Sequence, residues 1–199
     1  MINIEDISKE GPFEIFRQHF TVALKNKQSF IDACAISSFN TSTKEINSRF
    51  VNIKYIKNNE FIFFSNYNSP KAVEFSLHDQ ITALFFWNKT NTQIRIKAKI
   101  EKTNSKFSDF HFNQRSPKKN ALAISSLQSK PIYTYNEVLK EYDIVLSNKK
   151  LLSVRPEYWG GYSFKPYYFE FWEGHENRLN KRHVFERQND LWQEMLLQP

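Results

Sequence analysis

The sequence holds only four glycines, Gly11, Gly160, Gly161 and Gly174. Neither a G-x-G-x-x-G turn nor a P-loop can be built from them. Any phosphate bound by this chain must therefore be gripped by side chains, chiefly Arg and Lys. The chain has one cysteine, Cys34, so it forms no internal disulfide. Cys34 lies in the apolar run Ala33-Cys34-Ala35-Ile36 and reads as a small buried hydrophobe. The five histidines (His19, His78, His111, His175, His183) lack metal-ligand spacing, so no metal is expected. Neither G-x-S-x-G nor H-E-x-x-H occurs. No stretch approaches the ~18 apolar residues of a membrane span. Met1 to Gly11 carries Glu5, Asp6 and Glu10 and has no apolar signal core. The expectations are a cytoplasmic protein, no membrane partner, and a flexible lead over residues 1–11.

What is present points to a globular chain with a large aromatic core. The 199 residues suit one domain, 1–199, and 40% hydrophobic against 25% charged residues is a soluble balance. Nineteen Phe supply apolar area for a core or an interface. The formal charge of +7 favours anionic partners. The basic residues are dispersed and form no tail, which disfavours nucleic acid as that partner.

Periodicity predicts the elements. Pro12 opens a helix with Phe13, Phe16, Phe20 and Ala23 on one face. Asp32 to Ser38 reads as a buried strand, followed by a polar turn at Asn40 to Lys44. Arg49 to Ile56 and Glu60 to Ser65 read as a hairpin around Lys57-Asn58-Asn59. Ser69 can cap a short helix with Pro70 at its first position. Ile81 to Trp87 and Gln93 to Lys102 read as a second hairpin. In the latter, Ile94, Ile96, Ala98 and Ile100 alternate with polar residues, leaving one wet or ligand-facing side. Ser105 to Gln114, Pro117 to Leu127 and Asn136 to Leu146 read as helices, the last with Val138, Leu139, Tyr142 and Val145 on its apolar stripe. Ser147 to Arg155 is a basic connection. Tyr162 to Phe164, Tyr167 to Trp172 and His183 to Phe185 read as late strands. The sum is an α+β, mainly β chain: a largely antiparallel sheet closing towards a barrel, with helices packed around it.

The most specific segment is near the end: Trp159-Gly160-Gly161-Tyr162, then Glu170-Phe171-Trp172-Glu173-Gly174, then Arg178-Leu179-Asn180-Lys181-Arg182. It resembles the C-terminal signature of the pyridoxamine 5'-phosphate oxidase family, W-G-G-[YF] … E-F-W-x-G-x-x-x-R-L-H-[DE]-R. Arg178 and Arg182 are four apart, a spacing that shares a face on a helix and suits anionic oxygens. Upstream, Arg49-Phe50-Val51-Asn52-Ile53-Lys54 is similar to the family's R-x-V-L-L-K strand. Phe64-Ser65-Asn66 and Ser69-Pro70-Lys71 are similar to its Y-T-N … S-R-K.

The resemblance implies a Greek-key, FMN-binding split β-barrel that works as a homodimer, with 155–199 as the dimerisation and cofactor-binding region. Arg49, Ser65 and Lys71 would hold the FMN phosphate, and Phe50, Val51, Asn52 and Ile53 would run along the flavin beside Phe64. Gln93 would face the flavin ring, while Gln128, Ser129, Trp172 and Arg182 would reach it from the other subunit. Lys54, His111, Arg115 and Lys119 occupy the substrate-phosphate positions. Arg178 and Asn180 would flank the reacting carbon. The implied activity is oxidation of pyridoxamine or pyridoxine 5'-phosphate, with hydride passing to FMN and dioxygen reoxidising it to give hydrogen peroxide. The departures concern function more than fold. Pro70 replaces a phosphate-binding Arg, Asn180 replaces the His, and Lys181 replaces the following acid. An oxidase of another aromatic anion, as in phenazine biosynthesis, and a flavin-binding protein with little catalysis stay open.

Overall fold

In the computed structural model, which describes residues 1–199, the chain begins with β1 (Asn3–Glu5) and α1 (Gly11–Lys25). Pro12 sits in the first turn of α1, and Phe13, Phe16, Phe20 and Ala23 form its buried face. There follow β2 (Ala33–Phe39), β3 (Ile46–Asn52), β4 (Tyr55–Lys57), β5 (Glu60–Asn66), α2 (Pro70–Leu77), β6 (Gln80–Trp87) and β7 (Thr92–Lys102). The helical section is α3 (Ser105–Gln114), α4 (Pro117–Ser125), α5 (Tyr135–Ser147) and α6 (Lys149–Leu152). The chain closes with β8 (Trp159–Glu173), β9 (Lys181–Gln188) and β10 (Leu191–Leu197).

One sheet runs β1-β4-β5-β8-β7-β6-β2-β3, with β9 on β8 and β10 on β9. Every pairing is antiparallel except β1 with β4. The 15-residue β8 is where the sheet divides. One edge follows β7, while the other pairs first with β5 (Trp159 to Phe164) and then with β9 (Tyr168 to Glu173). The result is the expected split barrel with helices around it. Inside, Phe61 stacks on Phe164 at 5.2 Å and meets Phe16 edge-on at 5.1 Å, and Phe85 and Phe169 close the cluster.

Several local expectations are corrected. Arg49 to Ile56 is not one strand. The chain leaves β2 after Asn52, where Ile53 N donates to Asp32 O and Lys54 N to Ile62 O, each at 2.8 Å. Only β4 pairs with β5, around the left-handed Asn58 and Asn59. Conversely, the two strands expected over 162–172 are the single β8, with a register shift at Lys97/Ala98 opposite Pro166. Residues 1–11, expected to be flexible, contribute β1 and the buried Ile2. Neither β1 nor β10 carries the alternation that periodicity detects. Ser69 caps α2 by position only, since its hydroxyl donates to Asn66 O. On the expected stripe of α5, only Val145 is buried.

Candidate active site

Alternation along β3 turns Arg49 and Val51 to the same face as Ile36 and Cys34, their partners on β2. Arg49 thereby meets β2 and the middle of α2. One guanidinium nitrogen donates to Ser38 Oγ at 2.6 Å and the other to Glu74 Oε2 at 3.0 Å. Glu74, 3% exposed, also accepts from Asn47 Nδ2 at 2.8 Å and from the Ser38 hydroxyl. Next to this pair lies Lys71, which is buried and whose ammonium touches only hydroxyls, Ser65 Oγ at 3.3 Å and Ser69 Oγ at 3.4 Å. Burial, with the Arg49 charge adding, lowers its pKa, while Glu74 opposes the shift. A buried ammonium with no carboxylate bonded to it is a local site for an anion.

Lys71 and Ser65 open into a cavity of about 610 Å³. Its walls include Phe50, Val51, Asn52, Lys54, Phe64, His111, Arg115, Lys119 and Gln128, all expected from the sequence. Phe64 stacks on His111 with ring centres 3.7 Å apart, and Trp159 lies nearly parallel to both, 5.4 Å from Phe64 and 6.3 Å from His111. Arg115 sits 4.3 Å above the Trp159 ring and donates to Lys119 O at 2.8 Å. Its other terminal nitrogen is buried without a partner, and burial lowers its pKa to about 10. Lys54 is paired with Asp32 at 2.9 Å.

His111 bonds the Tyr55 hydroxyl through Nδ1 at 2.9 Å. Burial chiefly, with the charges of Arg115, Lys54 and Lys119 adding, lowers its pKa from 6.5 to about 4. Between those values the unfolded chain binds a proton that the folded chain refuses, so stability falls as pH drops through that window. Denaturant midpoints of His111→Gln are expected to vary less between pH 6.5 and about 4 than those of the parent. Equal slopes in the two proteins would count against a neutral imidazole here.

Other expected residues lie away from this cavity within one chain. Gln93, Trp172 and Arg182 are neighbours in one cross-strand row on the outer face of β7, β8 and β9. Beside them Glu170, almost fully buried, is bonded by Arg182 at 2.8 Å, by Tyr168 at 3.0 Å and by Arg95. Burial would raise the Glu170 carboxyl, but these donors outweigh it and lower its pKa. Arg178 and Arg182 do not share a helical face. Arg178 is an exposed, left-handed loop residue, and Arg182 lies on β9. Asn180 does not face the cavity, because its Oδ1 accepts from His175 N at 3.0 Å and closes that loop. Ile53 is fully buried, its N–H bonds Asp32 O at 2.8 Å, and it does not line the cavity. Ser129 is exposed after α4. Gln128 lines the cavity of its own chain, where its Oε1 accepts from Asn66 N at 3.3 Å.

Trp159, Glu74, Asp32 and Glu170 were not singled out as site residues. Trp159 had a signal in the W-G-G pattern. The glycines let β8 approach closely: a Cβ on Gly160 would stand 2.1 Å from the Tyr67 hydroxyl, and one on Gly161 2.5 Å from Thr103 Oγ1. Glu170 likewise stands in the E-F-W pattern. Glu74 and Asp32 had no signal, since each acquires its meaning from a cation distant in sequence.

Comparisons with known proteins point to one family. Residues 159–199 match a family model described as the pyridoxine 5'-phosphate oxidase C-terminal dimerisation region. The pyridoxine/pyridoxamine 5'-phosphate oxidase of Colwellia psychrerythraea is 35% identical over 196 residues, covering 96% of this chain and 88% of that one. The enzyme of the same name from Thermosynechococcus vestitus is 31% identical, covering 98% and 92%. The crystal structure of PhzG from Burkholderia lata 383, in complex with tetrahydrophenazine-1-carboxylic acid, superposes with TM-score 0.87 at 25% identity, covering 94% and 92%. A pyridoxamine 5'-phosphate oxidase-related, FMN-binding protein from Nostoc punctiforme shares the fold, with TM-score 0.79 at 10% identity and coverage of 96% and 98%.

Proposed function

The chain belongs to the pyridoxine/pyridoxamine 5'-phosphate oxidase family and is an FMN-dependent oxidoreductase, and from that premise we propose that it oxidises pyridoxamine or pyridoxine 5'-phosphate. One observation carries the reading: one cavity with aromatic residues in its wall has cationic groups at two places, Lys71 at one and Lys54 with Arg115 and Lys119 at the other, while Arg49, outside the wall, is near enough to act on the Lys71 charge. The first suits the cofactor's phosphate and the second the substrate's.

Lys71 fits the cofactor on this structure's own terms, because its buried ammonium meets only hydroxyls. Bound FMN would supply the hydride acceptor, and dioxygen would restore it with release of hydrogen peroxide. Arg49, Lys71 and Ser65 would bind the phosphate, with the Phe50 to Ile53 backbone along the flavin next to Phe64. Arg115, Lys54 and Lys119 would anchor the substrate anion. Neutral His111, its Nδ1 engaged by Tyr55, would leave Nε2 for a hydrogen bond to that anion. The stacked Phe64, His111 and Trp159 exclude water from one wall. Gln93, Gln128, Ser129, Trp172, Arg182, Arg178 and Asn180 complete the proposed set, with a second copy of the chain supplying those that one cavity does not reach. Exposed Phe50 and Phe86 on the outer sheet face support such a homodimer.

A second reading, a carboxylated aromatic substrate, is favoured by the Lys54–Asp32 pair. That pair offsets one of the substrate-end charges, which suits a monoanion better than a phosphate dianion. Oxygen uptake by FMN-loaded protein tests both. Turnover of pyridoxamine 5'-phosphate, with peroxide formed in step with oxygen consumed, is the expected result. A flavin-loaded protein that is inert to both vitamin phosphates would sink the first reading, and turnover of a reduced aromatic carboxylate would establish the second.

A further inference from the structure

Arg49 is half-buried and spends its terminal nitrogens inside the protein, on Ser38, Ile36 O and Glu74. Glu74 is the only acid bonded to the Arg49 side chain. It is fully formed as a site of its own: buried at 3% exposure and held by Asn47, Ser38 and Arg49. It also acts on Lys71, whose titration responds to both the Arg49 and the Glu74 charges. The three charges therefore form one cluster, Arg49 and Lys71 positive and Glu74 negative. Pro70, the first residue of α2, adds no charge to this cluster.

We propose that Glu74 is a built-in counter-charge that limits how tightly the cofactor's phosphate is held. This rests on the assignment of Arg49 and Lys71 to that phosphate. In the apoprotein the carboxylate satisfies Arg49, which would otherwise be a half-buried cation without a partner. With FMN bound, the same carboxylate repels the phosphate across a short, poorly screened distance. Glu74 is thus a positioning residue that stabilises the empty site at the expense of the loaded one, so FMN exchanges reversibly.

The test is Glu74→Gln, which keeps the shape and an acceptor oxygen for Ser38 and Arg49 while removing the charge. FMN and riboflavin affinities are measured on the apoprotein by quenching of flavin fluorescence, alongside thermal unfolding with and without FMN. The expected result is FMN binding tighter by about tenfold or more, riboflavin binding unchanged, a lower apoprotein Tm, and a larger Tm gain on adding FMN. A purely structural role would lower Tm with and without FMN alike and leave the FMN affinity unchanged or weaker, and that overturns the proposal. If the variant does not fold, Asn47→Lys gives Glu74 a different cation from the rim. It too should tighten FMN and not riboflavin, and unchanged FMN affinity overturns the proposal. Parent protein that fails to bind FMN would refute the cofactor assignment itself, whereas binding by the parent with no gain in either variant refutes only the role of Glu74.

Discussion

Lys71→Met is expected to lose FMN while leaving the apoprotein as stable as the parent, or more so. Lys71 is buried and its Nζ meets only Ser65 Oγ and Ser69 Oγ. Hydroxyls do not neutralise an ammonium, so burial already disfavours its charge. Met has a similar length, is flexible, and carries no charge to desolvate. Removing an unpaired buried cation is neutral or stabilising for the fold. For the ligand the sign reverses. Loss of one partner of a buried, hydrogen-bonded charge pair costs about 2–5 kcal/mol, which corresponds to at least about a 30-fold rise in Kd. Flavin retention on gel filtration and denaturant unfolding of the apoprotein measure the two effects. Full FMN occupancy in the variant, or equal loss of fold and flavin, would contradict the assignment.

Phe61→Ala is expected to produce the largest loss of stability. Phe61 is fully buried on β5 and its ring contacts those of Phe16, Phe85, Phe164 and Phe169. These neighbours come from the helix α1 and from β6 and β8, and the two strands are held by the sheet's hydrogen bonds, so the neighbours cannot all move into the space left behind. Phe-to-Ala changes at such sites cost about 3–5 kcal/mol. In a chain of this size that lowers Tm by roughly 6–20 °C. Phe61 also precedes the two cavity residues of its strand, Phe64 and Ser65, so FMN affinity should fall with stability. A Tm within a degree of the parent would show that this cluster is not the centre of the core.

Legibility followed the range of the interactions. Pro12, Phe13, Phe16 and Phe20 announced α1 because a helix is written in its own spacing. The alternation from Gln93 to Lys102 announced β7 in the same way. The family resemblance pointed to Phe50, Lys54, Phe64, Lys71, His111, Arg115 and Lys119, and these line the cavity, whereas Arg49, Trp172, Arg178 and Arg182 do not. Where strands end was less legible. Ile53 and Lys54 look like strand residues, but their N–H groups bond Asp32 O and Ile62 O, partners that no local pattern reveals.

What the sequence determined by itself is the kind of binding this protein does. With four glycines and no G-x-G-x-x-G or P-loop pattern, it has no glycine loop in which a phosphate could sit, and its Lys and Arg are dispersed along the chain. Only the tertiary structure decided which of those charges are free to meet an anion. Lys71 is left to hydroxyls, Arg49 is shared with Glu74, and Lys54 is shared with Asp32. The reason is physical: whether a cation is available depends on an acid brought beside it by folding, 25 residues from Arg49 and 22 from Lys54, and such pairings leave no periodicity in the chain.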